Sequence, residues 1–62
     1  MENKLKQMRE KKRLTQEELS KVSGVSRTTI SNIENGYVSC VKTETLVKLS
    51  DALGVKVTTL FF

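Results

Sequence analysis

The sequence of 62 residues has no proline, no histidine, three glycines and a single cysteine, Cys40. Because proline and glycine are the residues that interrupt helices, the composition favours helix throughout. A single cysteine excludes an intrachain disulfide and fits a reducing cytoplasm. The sequence also lacks a base beside the thiol, a glycine-rich phosphate loop and a cluster of metal ligands. These absences argue against an enzyme and against a bound metal or cofactor.

Long apolar stretches are also missing from the sequence. No N-terminal run has the length of a signal peptide, and none could span a membrane. We therefore expect a soluble, cytoplasmic protein without membrane contacts. At this length we expect a single domain, residues 1–62, near the lower size limit for folding without disulfides or a metal.

Positive charge is concentrated near the N-terminus. Residues 1–13 contain six basic and two acidic side chains, whereas residues 14–62 contain five of each, so the net charge of +4 lies in the first segment. A basic segment of this kind can steer a protein to a polyanion. The alternative is a solvated helix surface that aids solubility.

Residues 16–35, QEELSKVSGVSRTTISNIEN, predict two short helices with almost nothing between them. Thr15 and Glu18 have the spacing of a capping box at the start of the first helix. Gly24 ends that helix, because glycine adopts a left-handed conformation without steric cost. Ser26 caps the second helix, which runs to the end of the segment. Such a pair is a helix-turn-helix, whose main known use is to place its second helix in the major groove of DNA.

One side of the second helix carries short polar groups and a guanidinium, without Asp, Glu or Lys. At about 100° per residue, this side contains Arg27, Thr28, Ser31, Asn32 and Asn35. Arginine can bridge guanine O6 and N7, and asparagine can bridge adenine N6 and N7. The side therefore suits base edges. The alternative is a polar surface helix that lacks long charged side chains by chance.

Helical periodicity predicts five helices: residues 2–12, the two helices of the motif, residues 43–53, and a short helix over residues 56–61. The predicted fold class is all-α, a bundle of five short helices. The last helix has poor intrinsic propensity, because three successive residues in it are β-branched, and it needs tertiary packing to form. The predicted core comprises Leu5, Met8, Leu19, Val22, Val25, Ile30, Ile33, Leu46, Leu49 and Leu53.

Five segments of the sequence together resemble one known family. They are MRE at residues 8–10, LTQEEL at 14–19, GVS at 24–26, TISNIENG at 29–36 and LSDALGV at 49–55. In this combination and spacing, the chain resembles the phage-repressor and Cro-like helix-turn-helix proteins of the XRE family. The resemblance implies a compact, lambda-repressor-like bundle that binds double-stranded operator DNA, usually as a two-fold dimer on an inverted repeat.

The resemblance also implies roles for individual residues. Arg27, Thr28 and Asn32 match the positions that meet base edges, and Ser31 is a further candidate on the same side. Arg9 and Glu34 match a structural ion pair that links the first and third helices. Such a pair fixes the register of helices more surely than it adds net stability.

Contacts with DNA phosphates are predicted around the motif. Gln16 matches a contact at the start of the second helix, where the helix N-terminus also favours an anion. The predicted phosphate contacts are Gln16, Ser26, Asn35, Tyr37, Lys42 and Arg13. For Tyr37, packing of the ring over its own loop is an equal alternative.

The loop after the motif departs from the family pattern. Val41 stands where relatives often have proline, and residues 37–40 lack the basic side chains that relatives carry there. The loop's share of phosphate binding is correspondingly reduced. Cys40 is interpreted as a plain loop thiol, with a redox role as the alternative.

Apolar residues cluster at the end of the sequence, at Val55, Val57, Leu60, Phe61 and Phe62. Exposed apolar groups on a small protein often mark an interface. We expect Val57 and Leu60 to close the core, and at least one of Phe61 and Phe62 to lie at a dimer contact. Because no sensor domain is apparent, we expect control by concentration, a partner or an antagonist, and no small-molecule ligand.

The sequence thus predicts a sequence-specific DNA-binding transcriptional regulator, namely a homodimeric repressor. One alternative is an antitoxin or DNA-anchoring partner of a toxin system, which also binds a second protein through Phe61 and Phe62. Another is a protein-interaction bundle that keeps the fold without binding DNA. The acid-free side of the second motif helix argues against that last alternative.

Overall fold

The computed structural model describes residues 3–38 and 40–61, which form five α-helices and no strand. The helices are α1 (Leu5–Lys11), α2 (Gln16–Ser23), α3 (Arg27–Glu34), α4 (Thr43–Leu53) and α5 (Val57–Phe61). This architecture confirms the predicted all-α fold class. None of the helices in the described residues is long and apolar enough to cross a membrane.

The first helix begins at Leu5 rather than at residue 2, which lies outside the described residues. Asn3 sets this start, because its side-chain oxygen accepts a hydrogen bond from the N–H of Leu5 at 3.0 Å. The Asn3 amide also donates to the carbonyl of Ile33 at 2.8 Å. A polar side chain that sequence reasoning did not single out therefore ties the start of α1 to the end of α3.

The start of α2, the turn between α2 and α3 and the start of α3 form as the sequence predicts. The hydroxyl of Thr15 accepts a hydrogen bond from the N–H of Glu18 at 3.0 Å. The Glu18 carboxylate accepts one from the N–H of Thr15 at 2.9 Å, which completes the capping box. Gly24 ends α2 with a φ of 75°. Ser26 then starts α3, because its Oγ accepts the N–H of Thr29 at 3.1 Å.

The core is formed by buried apolar side chains from all five helices and from the turn between α2 and α3. In the described residues these are Leu5, Leu19, Val25, Ile30, Ile33, Leu49, Leu53, Leu60 and Phe61. Met8, Leu46 and Val57 pack against this cluster while remaining partly exposed. The predicted core is therefore largely confirmed.

Val22 is the exception, since it is 61% exposed and its prediction as a core residue was wrong. The less exposed side of α2 runs through Gln16, Leu19, Ser20 and Ser23. These positions follow the i, i+3, i+4, i+7 pattern of one helix face. Val22 lies beside that face, so the spacing from Leu19 alone misplaced it.

The short helix α5 forms because it is packed, as its weak propensity requires. Leu60 and Phe61 are 0% and 6% exposed. The N–H of Lys4 donates to the carbonyl of Leu60 at 2.7 Å, which holds α5 against the start of α1. The burial of Phe61 disagrees with its predicted place at a dimer contact, because little of its surface is left to meet a partner. Phe62 lies outside the described residues.

The capping box predicts a pH dependence of stability. The hydrogen bond from the Thr15 backbone N–H, followed by the bond with its hydroxyl, lowers the pKa of Glu18 below its ordinary 4.5. A lowered pKa in the folded state stabilises the fold above the unfolded-state pKa, and this stabilisation is lost as the pH falls through the folded-state value. We expect Glu18→Gln to flatten the pH dependence of the free energy of unfolding below pH 4.5, measured by urea unfolding.

Glu17→Gln is the matched control for this measurement. Glu17 is the neighbour of Glu18 in the same helical turn, and it pairs with Lys21 at 3.9 Å on the exposed surface. The Glu17 variant retains the capping box, so it is expected to keep the pH dependence that Glu18 contributes. Equal flattening in both variants would contradict a specific role for the capping box.

Candidate nucleic-acid interface

The outer side of α3 presents the predicted base-contacting side chains. Arg27 and Thr28 are exposed, and Ser31 and Asn32 are half-buried. On the opposite side, Ile30 and Ile33 are 0% and 1% exposed, which determines the rotation of the helix about its axis. Within the described residues, the side chains of Arg27, Thr28 and Asn32 have no hydrogen bond or ion pair. Their polar groups are therefore available to a ligand.

The C-terminal end of α3 continues this polar side. The exposed Asn35 follows the helix, and its Nδ2 donates weakly to Ser31 Oγ at 3.4 Å. Gly36 then turns the chain with a φ of 72°. The N–H of Tyr37 donates to the carbonyl of Asn32 at 2.9 Å, so the start of the loop is held against α3.

A buried ion pair links α3 to α1, as the sequence predicts. Arg9 Nε donates to Glu34 Oε2 at 2.7 Å, and Arg9 Nη2 donates to Glu34 Oε1 at 3.1 Å. The side chains are 11% and 3% exposed. The third guanidinium nitrogen, Nη1, donates to the carbonyl of Leu14 at 2.7 Å. The hydrogen bonds with Glu34 outweigh the effect of burial and raise the pKa of Arg9 above its ordinary value.

Gln16 lies at the start of α2 and is joined to the same carboxylate. Its Nε2 donates to Glu34 Oε1 at 3.1 Å. The first residue of α2 is therefore attached to the last residue of α3 by a side-chain hydrogen bond. Sequence reasoning missed this bond, because the two residues are 18 positions apart and no local pattern pairs them.

Ser26 is engaged in capping rather than free. Its hydroxyl accepts the N–H of Thr29 at 3.1 Å and donates to Thr29 Oγ1 at 2.8 Å. The residue is exposed at the N-terminus of α3, where backbone N–H groups favour an anion. A phosphate contact from the Ser26 hydroxyl would replace its bond with Thr29 Oγ1.

Arg13 precedes α2 in a left-handed backbone conformation, with a φ of 59°. It is the one non-glycine residue with a positive φ among the described residues. The residue is exposed, so no packing of its side chain accounts for this conformation. Arg13 lies just before the N-terminus of α2, where Gln16 also lies.

Arg13→Gly is expected to raise the free energy of unfolding by about 0.5–1 kcal/mol. A left-handed conformation costs a non-glycine residue roughly 1–2 kcal/mol, and the larger unfolded-state entropy of glycine cancels part of the gain. Urea unfolding of the variant measures the change. Lys12→Gly is the control, because Lys12 has a φ of −86° and glycine relieves no strain there. A stabilisation that is equal in both variants would contradict strain at Arg13.

The loop between α3 and α4 holds the remaining predicted contacts. Tyr37 is 77% exposed, so the alternative of a ring packed over the loop is wrong. Lys42 is exposed at the N-cap of α4, and its side chain makes no capping hydrogen bond. Cys40 is an exposed free thiol. The tyrosine hydroxyl and the lysine ammonium group are both accessible to a phosphate.

These features define the class of protein. A tight turn joins α2 to α3, and the outer side of α3 is polar and accessible. The end of α3 is fixed by a buried ion pair and by a hydrogen bond from the Gln16 side-chain amide. The family model described as helix-turn-helix matches residues 5–60. The chain therefore belongs to the XRE-type helix-turn-helix family of DNA-binding regulators. Comparison with curated proteins gave no match.

Proposed function

We propose that the protein is a transcriptional regulator that binds double-stranded DNA at a specific sequence, with α3 in the major groove. The observation that carries this proposal is the acid-free outer side of α3, on which the side chains of Arg27, Thr28 and Asn32 make no hydrogen bond or ion pair within the described residues. Arg27 is the candidate for a guanine, Asn32 for an adenine, and Thr28 for a thymine methyl or a polar base edge. Ser31, half-buried on the same side, is a further candidate.

Phosphate contacts on either side of α3 would set its orientation in the groove, since such contacts position a protein without reading sequence. At the start of α2 these are the amide of Gln16 and the guanidinium of Arg13. At the N-terminus of α3 the proposed contact is Ser26, and beyond α3 the proposed contacts are Asn35, Tyr37 and Lys42. The positive charge of residues 1–13 supports attraction to the DNA backbone.

We further propose that the regulator acts in the cytoplasm as a homodimeric repressor without enzymatic activity. Similarity to phage repressors supports this mode of action. Two copies of α3 would then enter successive major grooves about 34–36 Å apart on an inverted repeat. Sedimentation with and without a DNA site tests the dimer. A single protomer per site at tens of micromolar protein would contradict it.

Arg27→Ala is expected to weaken binding to the preferred DNA site by about 1–3 kcal/mol and to relax the preference at one base pair. The physical reason is the loss of two hydrogen bonds to a base edge, and competition binding against single-base variants of the site measures it. Lys48→Ala is the matched control, because it removes the same charge from α4, where Lys48 pairs with Glu44 at 3.2 Å. Equal loss on specific and random DNA would argue against a base contact by Arg27.

A further inference from the structure

The carboxylate of Glu34 receives hydrogen bonds from two different helical regions. Arg9 occupies both oxygens, with Nε on Oε2 at 2.7 Å and Nη2 on Oε1 at 3.1 Å. Gln16 Nε2 adds a further bond to Oε1 at 3.1 Å. The Glu34 side chain is 3% exposed, so these neighbours rather than water satisfy it. Glu34 thus joins α1, the start of α2 and the end of α3.

An ionised carboxylate only accepts hydrogen bonds, and this determines how the Gln16 amide is oriented. Its nitrogen must point to Glu34, which leaves the second N–H and the side-chain oxygen for other partners. The Gln16 side chain has several rotatable bonds, and it would lose their freedom on binding a phosphate. The bond to Glu34 removes part of that freedom in advance.

The charge of the network matters as much as its geometry. A lone carboxylate beside the start of α2 would repel a phosphate that approached Gln16. The two hydrogen bonds from Arg9 pair that carboxylate with a cation, so the local charge is balanced. Gln16 can then donate to a phosphate while being held by an anion.

We propose that Glu34, with its charge balanced by Arg9, is a positioning residue that aims the Gln16 amide at a DNA phosphate. This inference rests on the proposed function, because it concerns a contact of the same interface. It extends the role of the ion pair from linking two helices to preparing a DNA contact.

The test begins with Gln16→Ala and its control, Gln7→Ala, which removes the same side chain from an exposed position of α1. Binding is measured to a duplex that the wild-type protein binds, at two salt concentrations. Gln16→Ala is expected to weaken binding about tenfold, the scale of one hydrogen bond to a charged group. This ratio of wild-type to variant affinity should be equal at both salt concentrations, because an uncharged glutamine displaces no counterion from the DNA. Gln7→Ala should bind like the wild type.

The second step asks whether Gln16 acts through Glu34. The double variant Arg9→Met/Glu34→Leu replaces the ion pair by apolar side chains, a change that often preserves folding. In this background, Gln16→Ala should weaken binding by clearly less than tenfold, because a Gln16 amide that Glu34 does not hold loses more freedom on contacting a phosphate. A tenfold loss in both backgrounds would overturn the proposal.

A measurement on the wild-type protein covers the case in which the double variant does not fold. The side-chain amide protons of Gln16 should exchange with solvent more slowly than those of Gln7, as observed by NMR. Equal exchange would overturn the proposal. If the wild-type protein binds no duplex, the proposed function fails and the inference fails with it. If it binds DNA and Gln16→Ala has no effect, the inference alone fails.

Discussion

Glu34→Ala is expected to lower the free energy of unfolding by about 3–5 kcal/mol, because it leaves the Arg9 guanidinium without its carboxylate in a largely buried site. The side chains of Arg9 and Glu34 are 11% and 3% exposed, so water can replace little of the lost interaction. Gln16 loses its acceptor at the same time. Against a total stability of about 5–15 kcal/mol for typical domains, this loss leaves a marginal fold.

Urea unfolding followed by circular dichroism measures this effect. Glu44→Ala is the matched control, since Glu44 makes the same type of ion pair with Lys48 at 3.2 Å but is 77% exposed. Exposed pairs contribute little to stability, so the control should unfold near the wild-type midpoint. Similar midpoints for the two variants would contradict the importance assigned to the buried pair.

Phe61→Ala is expected to destabilise the protomer by about 3–5 kcal/mol, the range for removing a large aromatic side chain from a core. The expectation follows from the 6% exposure of Phe61 and from its place in the core cluster with Leu60. Thermal unfolding at several protein concentrations measures it. The loss should be independent of concentration, because the contacts lie within one protomer.

Tyr37→Ala is the control, because it removes an aromatic ring that is 77% exposed. Its unfolding temperature should stay close to that of the wild type. If Phe61→Ala left the stability of the protomer unchanged and dissociated a dimer, the expectation would be contradicted. Phe61 would then be a dimer contact, as the sequence predicted.

The features that sequence reasoning predicted well are local in the chain. The capping box of Thr15 and Glu18 spans four residues and needs no information from elsewhere in the fold. Gly24 ends α2 in a left-handed conformation for a similarly local reason. The helical periodicity of polar and apolar residues then determines which side of α3 faces outward. The capping box, the glycine and this periodicity together predict the turn and the candidate DNA-contacting side.

The features that sequence reasoning missed depend on tertiary packing. Val22 has an apolar side chain at helical spacing from Leu19, yet the packing of α2 leaves it 61% exposed. An apolar residue near the end of the chain can serve the core or an interface equally well, so the sequence alone did not predict that Phe61 is only 6% exposed within the protomer. The bond between Gln16 and Glu34 arises only once α2 packs against the end of α3.

Family resemblance supplied what neither local pattern nor composition contains. The pairing of Arg9 with Glu34 spans 25 positions, and it was predicted from matching motif positions alone. The left-handed conformation of Arg13 was not predicted, because arginine carries no local signal for a positive φ. This conformation depends on where α1 ends and α2 begins, which the residue type at position 13 does not determine.

Selection of DNA sites from a random library, at two salt concentrations, distinguishes sequence-specific binding from nonspecific binding and from no binding. We expect recovery of one short inverted repeat, with binding that weakens steeply as salt rises because displaced counterions drive part of the affinity. Salt-sensitive binding without an enriched sequence would contradict base recognition by α3. Absence of binding at both salt concentrations would contradict DNA binding altogether and favour a protein-interaction bundle.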